Sequence, residues 1–235
     1  MGRAFEYRKA AKLKRWGNMS RIFPKLGRAI TVAAKEGVPD PAMNAKLRAA
    51  IANAKAEGMP KDNIDAAIKR ASGRDAVDYS EIVYDGKGPH GTLFMIECAT
   101  DNPTRTIANI RAIFTKAGGQ IVPSGSLDFM FSRKSVFEFD KPSMDLEELE
   151  LSLIDAGLEE MTVDEDTVYV YGDYTNFGSL AAALEELKIE VKKSALERVP
   201  TSPIEVTDEQ MIEIEKIIEK IEDDDDVQAV FTNLA

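Results

Sequence analysis

The chain holds one cysteine, one histidine and one tryptophan among its 235 residues. With Cys98 alone there is no internal disulfide and no multi-cysteine metal site, which suits a reducing compartment. His90 stands alone as well, so a zinc site built on nitrogen and sulfur lacks its ligands. No run of about 18 apolar residues occurs, and a membrane-spanning helix is not expected. The first residues lead into lysines and arginines without an apolar signal core, and the expected location is the cytoplasm. No Gly-rich loop opens a helix and no Gly-x-Ser-x-Gly elbow is present; Gly86-Lys-Gly-Pro-His-Gly joins two strands instead. Enzyme chemistry has no visible seat, and no cofactor or metal is expected.

What the sequence does have is charge, unevenly placed. The net charge is -11. Residues 1–76 carry 17 Lys and Arg against 7 Asp and Glu, a net of +10, which leaves 13 against 34, a net of -21, for 77–235. Charge spread in this way points to a polyanion-binding segment on an acidic body. With 44% hydrophobic residues the chain is an ordinary folding sequence.

The expected fold class is α+β, with three domains: an N-terminal helical bundle and two ferredoxin-like α/β sandwiches, one inserted in the other. Residues 1–76 read as helices. Ile22, Phe23, Leu26, Ile30 and Ala33 form one apolar face that Gly37 closes. Asp40 and Pro41 suit the start of a second helix, with Met43, Leu47, Ala50, Ile51 and Ala54 inward. A third runs from about Pro60 to Ser72.

From Tyr79 the period becomes that of strands. Glu81 to Asp85 and Thr92 to Ala99 read as a hairpin, Asn102 and Pro103 open a helix with Ile107, Ile110 and Phe114 inward, and Leu127, Phe129 and Phe131 alternate as a strand. Residues 135–200 read as a complete β-α-β-β-α-β unit. Thr207 and Gln210 form a capping box for a closing helix before a short strand, Val227 to Phe231. Segments 77–134 and 201–235 have too few strands apart, and the expectation is one discontinuous domain into which 135–200 is inserted.

The candidate site is the basic opening. Arg3, Arg8, Lys9, Lys12, Lys14, Arg15, Arg21, Lys25 and Arg28 are interrupted by one acid, Glu6. Phosphate binding gains from counterion release, and Phe5, Tyr7 and Trp16 offer stacking surfaces. The structural alternatives are a solvated helix face, or a face paired with the protein's own acidic body. Lys46 and Arg48, then Lys55, Lys61, Lys69, Arg70 and Arg74, extend the positive surface, although Lys69 and Arg70 also suit a helix C-terminus. His90 reads as a turn residue and Cys98 as core. The carboxylates Glu222 to Asp226 read as a solvated connector, against a Mg²⁺ site or an internal decoy for the basic arm.

Five stretches together are similar to the YebC/PmpR family: Gly2 to Lys12, Pro39-Asp-Pro with Lys46-Leu-Arg, Met59 to Ile64 with Ala67 to Ala71, Tyr84 to Gly91, and Asp101 to Thr106. The resemblance covers essentially the whole chain. It implies a helical domain followed by two α/β domains, one inserted in the other, and a DNA-binding transcriptional regulator of the bacterial cytoplasm. It also implies a second role: family members include a mitochondrial translational activator, and bacterial members are linked to the ribosome and to relief of stalling on proline-rich sequences. The commonest family opening carries a His-Ser-Lys-Trp run where this chain has Arg-Ala-Phe-Glu-Tyr, so no contact of that histidine carries over. No base-reading helix-turn-helix signature is present. The expected partner is DNA, or ribosomal RNA in the alternative, through Arg3 to Arg28 and the pair Lys46 and Arg48, with the acidic α/β domains open to a protein partner and no membrane contact.

Overall fold

Strands β1 (Ser80–Lys87) and β2 (Leu93–Thr100) form an antiparallel hairpin over the whole length of both, Ser80 opposite Thr100 and Lys87 opposite Leu93. The computed structural model describes residues 19–72 and 78–235. At the hairpin tip the chain turns through Pro89–Gly91, where His90 at φ 59° and Gly91 at φ 77° both take left-handed backbone. Helix α4 (Pro103–Lys116) follows. Asn102 caps it by accepting from Arg105 N, and proline sits where its missing N–H costs nothing.

Ahead of the hairpin stand α1 (Met19–Glu36), α2 (Ala45–Ala56) and α3 (Lys61–Ser72), around Ile30, Ala33, Leu47, Ala54, Ile64 and Ala67. Small side chains dominate this core, so helices approach closely. The buried Thr31 hydroxyl donates to Gly27 O within α1 and Ala67 O on α3. The expected start of α2 at Asp40 is corrected. Asp40 accepts from Ala42 N at 2.9 Å and makes a turn, and Met43 is 74% exposed. The cap is Asn44, which accepts from Leu47 N and donates to Ala33 O and Val38 O. Anchorage to α1 sets the boundary, not the Asp-Pro signature.

Two four-stranded antiparallel sheets make up the remainder. The first has the order β3-β1-β2-β8, with β3 at Gln120–Val122 and β8 at Val227–Thr232. Helix α4 and α7 (Asp208–Glu222) pack on one face through Ile110, Phe114, Ile214, Ile218 and Ile221, with Phe94 meeting Phe114 edge to face at 5.2 Å. Residues from both ends of the 77–235 segment thus share one sheet and one core. The Thr207 and Gln210 capping box opens α7 as expected.

The second sheet has the order β5-β6-β4-β7: β4 (Phe131–Asp140), β5 (Leu158–Asp164), β6 (Thr167–Asp173) and β7 (Val191–Pro200). Helices α5 (Leu146–Ile154) and α6 (Phe177–Glu186) cover its Phe137 and Phe139 face. Its chain order is β-α-β-β-α-β, the ferredoxin-like plan. The first sheet is not ferredoxin-like, because β1 and β2 follow each other with no α-helix between.

One further reading changes. Leu127, Phe129 and Phe131 do not form a strand: Asp128–Met130 is a helical turn that points Phe129 out at 76% exposure, and β4 begins at Phe131.

Candidate nucleic-acid interface

Among the predicted cations, the described side chains include Lys25, Arg28, Lys46 and Arg48. Arg3, Arg8, Lys9, Lys12, Lys14, Arg15 and Arg74 lie outside the described residues, as do the stacking candidates Phe5, Tyr7 and Trp16 and the side chain of Arg21. Lys25 and Arg28 are described, and they turn onto the acidic body. Lys25 Nζ donates to Glu222 O at 2.5 Å. Burial holds its pKa below the ordinary lysine value, against the pull of Glu222 and Asp225. Arg28 Nη1 reaches Ala99 O at 2.8 Å, Asp225 O at 2.8 Å and Asp226 Oδ1 at 2.7 Å, and the guanidinium stacks 4.9 Å above the Tyr79 ring. These two positions follow the second structural alternative, a face paired with the protein's own acids.

Asp226 is the centre of that contact, at 2% exposure. Besides Arg28 it accepts from Thr106 Oγ1 at 2.6 Å, Arg105 Nη2 at 2.7 Å and Thr100 Oγ1 at 3.0 Å. Burial alone would raise its carboxyl. The hydrogen bonds from Thr106, Arg105, Arg28 and Thr100 outweigh that and hold it at about 2. Arg105 also pairs with Asp101 one helical turn back, at 2.7 Å. The main chain is fixed too, since Ala99 N donates to Asp226 O at 2.9 Å where β2 is bulged against β8.

The reading of Glu222 to Asp226 as a solvated connector is therefore corrected. Its far end is buried, Asp224 accepts from Asn109 at 2.9 Å, and its carbonyls receive the cations of α1. The signal that could have found this was the pairing of a mainly basic helix with an all-acidic run in one chain. Sequence separation of 197 and 198 residues concealed which cations meet which acids. Among the described residues no group of three or more His, Cys, Asp and Glu is arranged to hold a metal ion.

On the other helices, Lys46 is held between Glu36 at 2.5 Å and Glu81 at 3.4 Å. Arg48 is exposed and donates to Pro41 O at 3.1 Å. Lys55, Lys61, Lys69 and Arg70 are exposed. Asn53, which no motif singled out, holds the helical unit to the second sheet: its amide donates to Ser194 O at 2.6 Å and accepts from Ser194 N at 2.9 Å. From the same strand, Arg198 reaches across to Glu97 on β2 at 2.8 Å.

His90 and Cys98 have the structural roles expected. His90 Nε2 meets Glu213 Oε2 at 2.7 Å and ties the hairpin tip to α7. Cys98 is 2% exposed, and burial pushes its thiol up to about 12. Hollows of about 510 and 250 Å³ lie between Asp140–Met144 and Leu187–Lys192, and beside Thr31, Lys35 and Tyr79. Neither includes Asp226, which sits in an ion-pair network with Arg28 and Arg105. No helix of the described residues is long and apolar enough to cross a membrane.

Fold and contacts define a mixed α/β protein of two antiparallel sheets whose basic helical N-terminal unit is ion-paired onto its own acidic body. Residues 79–234 match the family described as "TACO1/YebC second and third domain", and residues 3–74 the "TACO1/YebC protein N-terminal domain". The chain belongs to the TACO1/YebC family. It is 66% identical over 237 residues to a "probable transcriptional regulatory protein" of Wolinella succinogenes, covering 100% of both chains. Relatives with the same description in Campylobacter curvus and Sulfurimonas denitrificans are 64% and 62% identical, again over 100% of both chains. The crystal structure of a conserved hypothetical protein from Aquifex aeolicus aligns with a TM-score of 0.82 at 32% identity, covering 93% of this chain and 91% of that one. The curated relatives bear the names of regulators, not of enzymes.

Proposed function

We propose that this protein is a cytoplasmic DNA-binding transcriptional regulator that grips the phosphate backbone through its basic N-terminal segment. The observation that carries this reading is the charge polarity, +10 in residues 1–76 against -21 beyond, with nine cations in the first 28 residues. The regulator names of close relatives support it. Because Lys25 and Arg28 are committed to the body, the reading assigns the phosphate contacts to Arg3, Arg8, Lys9, Lys12, Lys14, Arg15 and Arg21, with Arg48 exposed on α2 and Lys46 already engaged by Glu36 and Glu81. The reading takes the chain as three domains, 1–76, 77–134 with 201–235, and 135–200. Residues 142–187 hold 13 carboxylates and no Lys, Arg or His, a surface that repels phosphate and is open to a protein partner.

Seven phosphate contacts give a log-log salt slope of roughly -6 on duplex DNA. A slope near zero in a salt titration sinks the electrostatic mechanism. Replacing Lys9, Lys12 and Arg15 by alanine weakens binding to all sequences alike, and a loss confined to one promoter contradicts backbone contact.

The rival reading is a ribosome-associated translation factor that binds ribosomal RNA and relieves stalling. What favours it is the lack of a base-reading helix-turn-helix signature, since structured RNA is recognised by shape and backbone. Crosslinking in cells, with sequencing of bound DNA and bound RNA, decides between them. Recovery of ribosomal RNA over promoter DNA makes the translation reading the correct one.

A further inference from the structure

We propose that the outer face of α5, where Leu151 and Ile154 stand among Glu147, Glu150 and Asp155, docks a basic amphipathic helix of a partner protein. The proposal rests on the reading of residues 142–187 as a surface open to a protein partner, and it names that partner's chemistry.

Helix α5 carries more aliphatic side chains than its own core uses. Leu149 and Leu153 are fully buried, in the core that holds Phe137 and Phe139. At about 100° of rotation per residue, Leu151 falls about 160° away from both of them, on the side turned to solvent. It is 70% exposed, and Ile154, one turn further on, is 52% exposed. A single exposed leucine is ordinary. Two large aliphatic side chains one turn apart, bordered by charge, have the form of a small interface core within a polar rim.

The charge at that border is of one sign. Glu147 and Glu150 each stand four residues ahead of one of the two aliphatics, so they share its face, and Asp155 follows at the end of the helix. Other acids of this unit have work within the fold: Glu159 pairs with Lys134 and Asp140 with Lys192, while Asp145 and Asp173 cap α5 and the turn after β6. Among the described residues no cation pairs with Glu147, Glu150 or Asp155. Helix α5 itself has no Lys or Arg with which to neutralise them. Such a border repels phosphate and attracts Lys and Arg, so charge complementarity selects a basic protein segment and turns nucleic acid away. The apolar centre selects a partner with aliphatic side chains at helical spacing, because helices pack by fitting ridges of side chains into grooves.

The probe is a labelled synthetic peptide of leucine and lysine, patterned so that its leucines share one helix face, titrated against the full chain. A peptide of the same composition in scrambled order is the control. The patterned peptide is expected to bind roughly tenfold tighter than the scrambled one, through burial of its leucines. Leu151→Ala combined with Ile154→Ala is expected to abolish that preference, since alanine keeps the helix and removes the apolar reach. Glu147→Gln combined with Glu150→Gln is expected to weaken both peptides and to flatten the salt dependence of their binding. Thermal melts check folding, and Leu151→Ala alone carries the test if the alanine pair does not fold.

Equal binding of the two peptides, or a preference that the folded alanine pair leaves in place, overturns the inference alone. An unchanged salt dependence in the glutamine pair does so too, because it removes the basic partner. Self-association of wild type in sedimentation that the alanine pair abolishes also overturns it, and makes a second copy of this chain the occupant. Wild type that binds neither peptide at low salt overturns the reading of an open acidic surface, and the inference with it.

Discussion

Asp226 gathers four side-chain donors from three elements, and its carboxyl is held at about 2 against an ordinary value of about 3.9. A depressed carboxyl contributes stability that is fully present above the unfolded-state value and is lost as pH falls toward the folded-state value. The window here runs from about pH 4 down to about pH 2. Wild type therefore melts above Asp226→Asn at pH 5, and the gap narrows steadily as the buffer is taken toward pH 2. Arg28 and Arg105 pair with this carboxylate, and Lys25 with the neighbouring Glu222 carbonyl. A gap equally wide at pH 2.5 and pH 5 contradicts a role for the carboxylate's charge. Cys98 offers a second measurement at this scale. With its thiol buried and pushed up to about 12, a thiol reagent labels it near pH 8 only through opening of the first sheet, so the labelling rate reports that opening.

Among the elements, Asn53 has the largest reach. Its amide satisfies both the N–H and the carbonyl of Ser194 on β7, an edge strand that would otherwise present them unpaired. Asn53→Ala leaves two partly buried backbone groups without these partners and costs about 1–3 kcal/mol, read from urea unfolding, while exchange of the Ser194 amide accelerates. If that amide stays protected, α2 does not seal the edge. Local elements were legible wherever local chemistry decides them: Asn102-Pro103, the Thr207 capping box and the β1–β2 hairpin all fall where the residues indicate. The start of α2 was not, because Asn44 is chosen over Asp40 by carbonyls of Ala33 and Val38 that only the folded bundle brings near. Strand β3 has three residues, too few for any alternation to register. At the candidate site the sequence showed the sign of the charge but not that Lys25 and Arg28 are bound to the protein's own acidic run.

For the molecule as a whole, the core behind the second sheet is distinct from the other cores, formed by Phe137, Phe139, Leu149, Leu153, Val168 and Leu180. Leu153→Ala there costs about 2–5 kcal/mol of stability. Nucleic-acid affinity, measured well below the unfolding transition, stays within about twofold of wild type, since additivity holds between distant sites. A large loss of affinity in the folded variant shows that the second sheet takes part in the contact.

The clasp between α1 and the acidic run also sets the basic helices of residues 19–72 in one orientation against a body of net -21. Charge held apart in this way is a permanent dipole, and on the nucleic-acid reading a polyanion's field would turn it before any contact is made. It would then arrive cation first, and salt would slow that arrival as well as loosen the grip.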